Sequence, residues 1–422
     1  MKHALSTCAA LLAAVLLLAG CGKTPTPDPT GPVDHTVLIY MIANHSGSVP
    51  TALKRNVYDA MAGVGSTTLA NGRLLVYFNA AEGSSLSPRG SALMEIRYDH
   101  KLGGAVIDTL KVYGNHKSID PDVMQGIFAD ARAAAPAASY GLIMGSHGTG
   151  WFPAAMDYTQ RYALTPAEPW QILAAKDLEN AETRAFGIDG RNSSNQWEWM
   201  EIEELAAALH GQQFDYVLFD ACFMCNIETL YALRRTGIEY FIASPAEIMA
   251  KGFPYDEIVP YLFTSATPEA KSIAIAQQFM DYYRNRYGNT RSAAISVVKS
   301  SEIEPLAAAV KEVLKTTPET DRTLVHPYEA LKNGHAFFDL DNWLRLRSGG
   351  TGRAYADFTE ALGRCIVLHD CTEEIYSNDG VRYSTISMDT ENICGLNCYI
   401  PSTSEPLTVK AWEQTAWYSA TH

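Results

Sequence analysis

No apolar run after Gly20 approaches the roughly 20 residues that a membrane-crossing helix requires, so this 422-residue chain carries no predicted transmembrane segment. Basic charge is also scarce. The 33 Lys and Arg residues face 47 Asp and Glu, which argues against nucleic acid or an anionic membrane face as partner and suits cationic peptide segments. Low-complexity tracts and internal repeats are missing, which argues against a repeat architecture. There is no G-x-S-x-G elbow, which counts against a serine hydrolase. The acidic residues form no EF-hand-like pattern, so the sequence by itself assigns no metal site.

What is present begins with a processing segment. Lys2 gives a basic start, Ala9–Gly20 is an apolar stretch of 12 residues, and Leu18-Ala19-Gly20-Cys21 resembles a bacterial lipoprotein cleavage box. Residues 1–20 are therefore expected to be a lipoprotein signal peptide, with lipid attached to Cys21; an ordinary secretory signal is the alternative. Gly22–Asp34 carries four prolines and no apolar periodicity, so residues 21–35 read as the lipidated cysteine and an extended tether. These features place the chain in a bacterial cell envelope, on the periplasmic face or the cell surface, touching the membrane through its lipid alone.

The rest of the chain is long enough for a large core. Thr36–Ala43, Leu74–Asn79, Ala92–Tyr98, Tyr240–Ala243 and Ala293–Val298 read as strands, with Ala92–Tyr98 at a sheet edge. Thr51–Met61, Asp120–Ala135 and Glu269–Tyr287 read as helices between them; Asp120 can cap, and Pro121 fits a first turn. Strands separated by helices predict an α/β fold with a mostly parallel sheet covered on both faces. The core is expected to span 36–300. Glu302–Leu314 and Asp357–Leu368 look helical and Thr385–Met388 and Leu396–Ile400 look extended, so 301–422 is expected to form an accessory lobe.

Two apolar strands carry the chemistry. Val217-Leu218-Phe219 ends in Asp220, Ala221 and Cys222, and the helical spacing of Ile227, Leu230, Tyr231 and Leu233 puts Cys222 at a strand-to-helix junction, where a helix dipole favours thiolate. Leu142-Ile143-Met144 ends in the same way at His147 and Gly148. Parallel strands align their carboxyl ends, so a base and a nucleophile 75 residues apart are predicted to meet there. Cys222-Phe-Met-Cys225 also matches the redox C-x-x-C pattern, but that reading leaves His147-Gly148 unexplained. Of the remaining cysteines, Cys365, Cys371, Cys394 and Cys398 have the number for two disulfides in an oxidising compartment, with Cys225 left over; their spacing is poor for zinc.

An apolar block ending in His-Gly and a second ending in Asp-Ala-Cys resemble the clostripain family of cysteine endopeptidases, in the clan of caspases, legumain and gingipains. Thr36–Ala43, Phe186–Asp189 with Met200–Leu209, and Ile242–Tyr255 are similar to further family segments, while Cys225 stands where a small residue such as glycine is usual. The resemblance implies a caspase-like fold and a His147–Cys222 dyad, with the backbone N–H groups of Gly148 and Cys222 as oxyanion donors. It implies that Asp220 lines the pocket for an Arg or Lys before the cut bond; the alternative is an aspartate capping the next helix. Peptide or protein is then the substrate, the protein is expected to be a monomer, and calcium is a cofactor that family members often need. It also implies self-processing in Phe152–Arg184, a long segment of weak periodicity. Arg161, 14 residues after His147, is the first choice, since Lys176 is followed by Asp177, a poor neighbour for Asp220. The rival reading is a surface lipoprotein that keeps the fold and binds peptide or glycan without cutting.

Overall fold

Val33–Ile42 forms β1, a strand buried at every position except Asp34. Its side chains alternate between two cores: Leu38, Tyr40 and Ile42 face one, and Val37, Ile39 and Met41 face the other. A strand apolar on both faces belongs inside a sheet covered twice. The computed structural model describes residues 32–45, 48–152, 184–191, 197–330, 335–378 and 383–422. The signal peptide, Cys21, most of the tether, Arg161 and Lys176 lie outside them.

In chain order, β1 is followed by α1 (Val49–Ala62), β2 (Gly72–Asn79), β3 (Ser91–Asp99), β4 (Gly104–Gly114), α2 (Pro121–Ala134) and β5 (Ala137–Gly145). Next come β6 (Arg184–Arg191), β7 (Trp197–Glu201), α3 (Ile202–Leu209), β8 (Tyr216–Asp220), α4 (Ile227–Leu233) and β9 (Tyr240–Ala243). Helices α5 (Tyr255–Leu262) and α6 (Pro268–Arg284) lead to β10 (Ala294–Lys299), α7 (Ile303–Thr316), β11 (Phe338–Asp339), α8 (Leu340–Ser348), α9 (Arg353–Cys365) and β12 (Ile366–Cys371). The chain ends with β13 (Glu374–Asn378), β14 (Tyr383–Ser387), β15 (Asn397–Cys398), α10 (Pro406–Trp412) and α11 (Ala416–Thr421).

Nine strands form one sheet in the order β12-β10-β9-β8-β5-β1-β2-β3-β4. The five from β9 to β2 are mutually parallel, and the two strands at each end run antiparallel to their neighbours. One face is covered by α2, α3, α4, α7 and α9, and the other by α1, α5 and α6. Asp120 caps α2 as its sequence suggests, accepting from the N–H groups of Asp122 and Val123.

Three expectations change. The Ala92–Tyr98 strand is not an edge, because β4 pairs along its whole length; β4 has no fully buried residue and no clean alternation to announce it. The helix expected through Leu368 stops at Cys365, where Ile366 and Val367 begin β12 and pair antiparallel with β10. That strand also joins the segment after Ser300 to the central sheet, and α7 and α9 lie on its core face, so no boundary falls near Ser300. A chain ending at Ser300 should accordingly show no cooperative urea transition, because it exposes the β10 edge and one core face. A separable accessory lobe would leave that shortened chain with a sharp transition of its own.

Candidate active site

β5 and β8 run side by side, with Gly145 opposite Asp220. Both chains leave the sheet at this point, so His147 and Cys222 each lie two residues past a paired position, on the carboxyl edge. Backbone joins the two blocks. Ser146 N donates to Asp220 O at 3.4 Å, and a Cβ on Gly148 would stand 2.5 Å from Cys222 O, so only glycine permits this approach. Gly148 bridges to Phe186 of β6 through Gly187 N donating to His147 O at 3.1 Å, a bond that does not engage the Gly148 amide.

The Cys222 turn is held by the stretch after β9. Phe223 N donates to Ala246 O at 3.0 Å and Cys225 N to Ser244 O at 2.9 Å, while Ile248 N donates to Cys222 Sγ at 3.3 Å. Phe223 adopts a left-handed backbone, φ 58°, which for a non-glycine costs about 1–2 kcal/mol. Its ring stacks on Phe337 at 4.3 Å between centroids and 5° between planes, an interaction that offsets part of the cost. The helix expected to meet Cys222 starts only at Ile227, with Asn226 as its cap accepting from Thr229 N at 2.9 Å. Cys222 therefore does not stand at the N-terminus of α4, and the cap of that helix is Asn226, not Asp220.

Charge at this edge is arranged around neutral groups. Burial first, then the Glu247 carboxylate, pushes the half-buried Cys222 thiol up to about 12. Burial and the neighbouring His45 hold His147 down to about 4, so near neutral pH the pair is a thiol and an uncharged imidazole able to accept its proton. Asp220, on the α1 and α5 side of β8, is 5% exposed. It accepts from Asn56 Nδ2 at 3.2 Å and Tyr255 OH at 2.9 Å, and Gly252 packs on its carboxylate, where a Cβ would stand 2.6 Å away. Burial raises Asp220 to about 6 against these bonds. Its nearest cationic influence, Lys251, is itself paired with Asp59.

The edge also holds residues beyond His147, Cys222 and Asp220. His45, just beyond β1, places its ring centroid 5.1 Å from that of His147, and Trp199 lies 6.4 Å away. His45 was findable by the reasoning that finds His147, since β1 and β5 are adjacent parallel strands ending at one edge. Glu247 and Tyr255 fall in Ile242–Tyr255, the stretch that resembles a family segment and whose Ser244–Glu247 and Gly252–Tyr255 are expected by that resemblance to wall a pocket, whereas Asn56 of α1 has no cue beyond its helix.

The other cysteine readings find no support. Cys225, Cys365, Cys371, Cys394 and Cys398 are free thiols. Cys365 and Cys371 stand at opposite ends of β12, roughly 20 Å of extended chain apart, far beyond the reach of a disulfide of about 7 Å. Cys225 donates to Gly395 O at 3.2 Å, away from the Ile248 contact of Cys222. Among the described residues, no group of three or more His, Cys, Asp or Glu converges as a metal site.

A sequence model of the clostripain family matches residues 172–406. No curated protein matches the chain. Among solved structures, the chain is similar to a secreted C11 cysteine protease from Bacteroides thetaiotaomicron in complex with an irreversible peptide inhibitor, at 28% identity and TM-score 0.72 over 92% of this chain and 98% of that one. It is similar to an inactive zymogen C11 protease from Parabacteroides distasonis, at 26% identity and TM-score 0.73 over 93% and 99%. A third similar structure, the Bacteroides thetaiotaomicron protease iotapain, gives 25% and 0.74 over 93% and 100%.

A protonated Cys222 predicts slow alkylation of the resting protein. Labelling of Cys222 by iodoacetamide, followed by peptide mapping, should climb with pH without levelling off below the range of an ordinary thiol, about 8.5. Fast labelling that is flat from acid pH upward would instead mean a preformed thiolate–imidazolium pair.

Proposed function

The chain belongs to the clostripain family of cysteine peptidases, and we propose that it is an exported, lipid-anchored endopeptidase that cuts after Arg or Lys with a His147–Cys222 dyad. The observation that carries this reading is the backbone meeting of Gly148 with the Cys222 carbonyl, which fixes imidazole and thiol at one sheet edge. In the proposed reaction His147 takes the thiol proton as Sγ attacks the scissile carbonyl. The Gly148 and Cys222 N–H groups receive the oxyanion, and His147 returns the proton to the leaving amine before water releases the acyl group. The raised thiol makes that base necessary.

Asp220 supplies the preference for a cation. It is a buried carboxylate whose partners are an amide, a phenol and backbone rather than a cation, so a substrate guanidinium or ammonium gains a charge-assisted bond in a dry pocket. A lipid at Cys21 would hold the enzyme in the envelope, and the secreted structural relatives favour that compartment. Cleavage after Arg161 is the proposed activation step, with a zymogen among the relatives as support. Peptide or protein is the only partner the reading requires.

Cys222→Ala and His147→Ala should each lower hydrolysis of a tri- or tetrapeptide arginyl amide by about a thousandfold or more, with unchanged circular dichroism. The Cys222→Ala chain should also stay whole by intact mass while the wild type separates into two associated fragments. Turnover near wild type in either variant sinks the dyad. For Asp220, the ionised form attracts the substrate cation and the protonated form does not, so kcat/KM for an arginyl substrate should rise as pH passes upward through about 6. Asp220→Asn should remove that rise and flatten the preference over a neutral residue; an unchanged profile would assign the preference elsewhere.

A further inference from the structure

The turn that carries Cys222 rests on a buried polar lattice supplied by the carboxyl-terminal segment. Asn397 of β15, fully buried, makes three bonds there. Its backbone N–H donates to Cys225 O at 3.0 Å, its side-chain amide donates to Pro245 O at 2.6 Å, and its side-chain oxygen accepts from Asn226 Nδ2 at 2.7 Å. The orientation of this amide is fixed by its partners. Pro245 offers only an acceptor, and the Asn226 oxygen already receives Thr229 N and Thr229 Oγ1, so Asn226 must present its NH2 to Asn397. Pro245 begins the stretch in which Ala246 O receives Phe223 N and Ile248 N donates to Cys222 Sγ. One side chain therefore spaces the Cys222 turn against the segment that holds its sulfur.

A second layer locks the first. Glu228 of α4, 2% exposed, accepts the other Asn226 Nδ2 hydrogen at 2.7 Å, Tyr399 N at 2.9 Å and Trp412 Nε1 at 3.1 Å. Both Nδ2 hydrogens of Asn226 are thereby engaged, which ties Asn226, Asn397 and Glu228 into one buried network.

We propose that Asn397 is a positioning residue for the peptidase reaction: it sets the separation between the Cys222 turn and Pro245–Ile248, and through it the place of Sγ relative to His147. The inference rests on the reading of Cys222 as nucleophile. A displacement near 1 Å at a reacting atom costs on the order of a hundredfold in rate, whereas substrate binding on the Asp220 side of the strand is untouched.

The test is Asn397→Asp, which keeps the shape and the acceptor for Asn226 but sets an oxygen against Pro245 O. Active sites are counted by titration with an irreversible arginyl peptide inhibitor, so that a loss of folded protein lowers the titre and not the turnover per site. The expected result is kcat per titrated site lower by about a hundredfold with KM within about twofold, and slower iodoacetamide labelling of Cys222. Turnover per site within about twofold of wild type would overturn the proposal. Should Asn397→Asp yield no soluble protein, Trp412→Phe removes only the indole N–H from Glu228: several-fold lower kcat at constant KM supports the proposal, and unchanged kcat overturns it. Mapping the inhibitor on the wild type separates the two levels. A label away from Cys222 would defeat the reading of the nucleophile, while a label on Cys222 with full turnover in the variants would defeat only the role of Asn397.

Discussion

Main chain packed against main chain is the constraint on which this edge of the protein depends. The Gly148 Cα lies so close to the Cys222 carbonyl that a methyl group would stand 2.5 Å from the oxygen, so the two blocks can approach only because one of them has no side chain. The β5–β8 register sets the height of the two blocks, and β6 reinforces it by taking the His147 carbonyl. From the other side, Ser244–Ile248 pairs with the Cys222 turn and forces Phe223 into its left-handed backbone. An imidazole and a thiol so placed owe little to their own side-chain contacts. They are delivered by a sheet whose core residues are 0% exposed at Leu142, Ile143, Val217 and Leu218.

Burial then sets the charge states. Cys222 is driven up and His147 down, leaving both neutral, while Asp220 and Glu228 keep carboxylates in places where ionisation is disfavoured, to about 6 and about 7. The two carboxylates differ in what surrounds them. Glu228 has three donors, Asn226 beside it and Tyr399 and Trp412 of the carboxyl-terminal segment, and is used up as structure. Asp220 sits beside Gly252 and takes neutral side-chain donors from Asn56 and Tyr255, at the end of the strand that leads to Cys222.

The sequence made the centre of the sheet legible because β1, β5 and β8 are short apolar runs that end abruptly, and the residues at those ends are the unusual ones. Where structure depends on pairing rather than composition, the signal fades. β4 has no alternation, β12 follows a helix without a break, and α5 contains Pro260. The same holds at the site. His147, Cys222 and Asp220 stand at strand ends and could be named, and His45 follows from the same argument. Asn397 could not be found, since its contact with Asn226 spans 171 residues and a buried asparagine has no periodicity. The carboxyl-terminal segment, which sequence reads as an accessory lobe, is where these bonds come from.

The central claim is that one sheet edge presents the attacking sulfur, its base and the cation pocket together. A crystal structure of the protein inactivated by a peptidyl ketone with arginine next to the reactive group tests all three at once. The account predicts a covalent bond from Cys222 Sγ, the former carbonyl oxygen within hydrogen-bond reach of the Gly148 amide, the His147 ring beside the adduct, and the arginine guanidinium on the Asp220 carboxylate. An adduct on another cysteine, or a guanidinium bound away from Asp220, would contradict it.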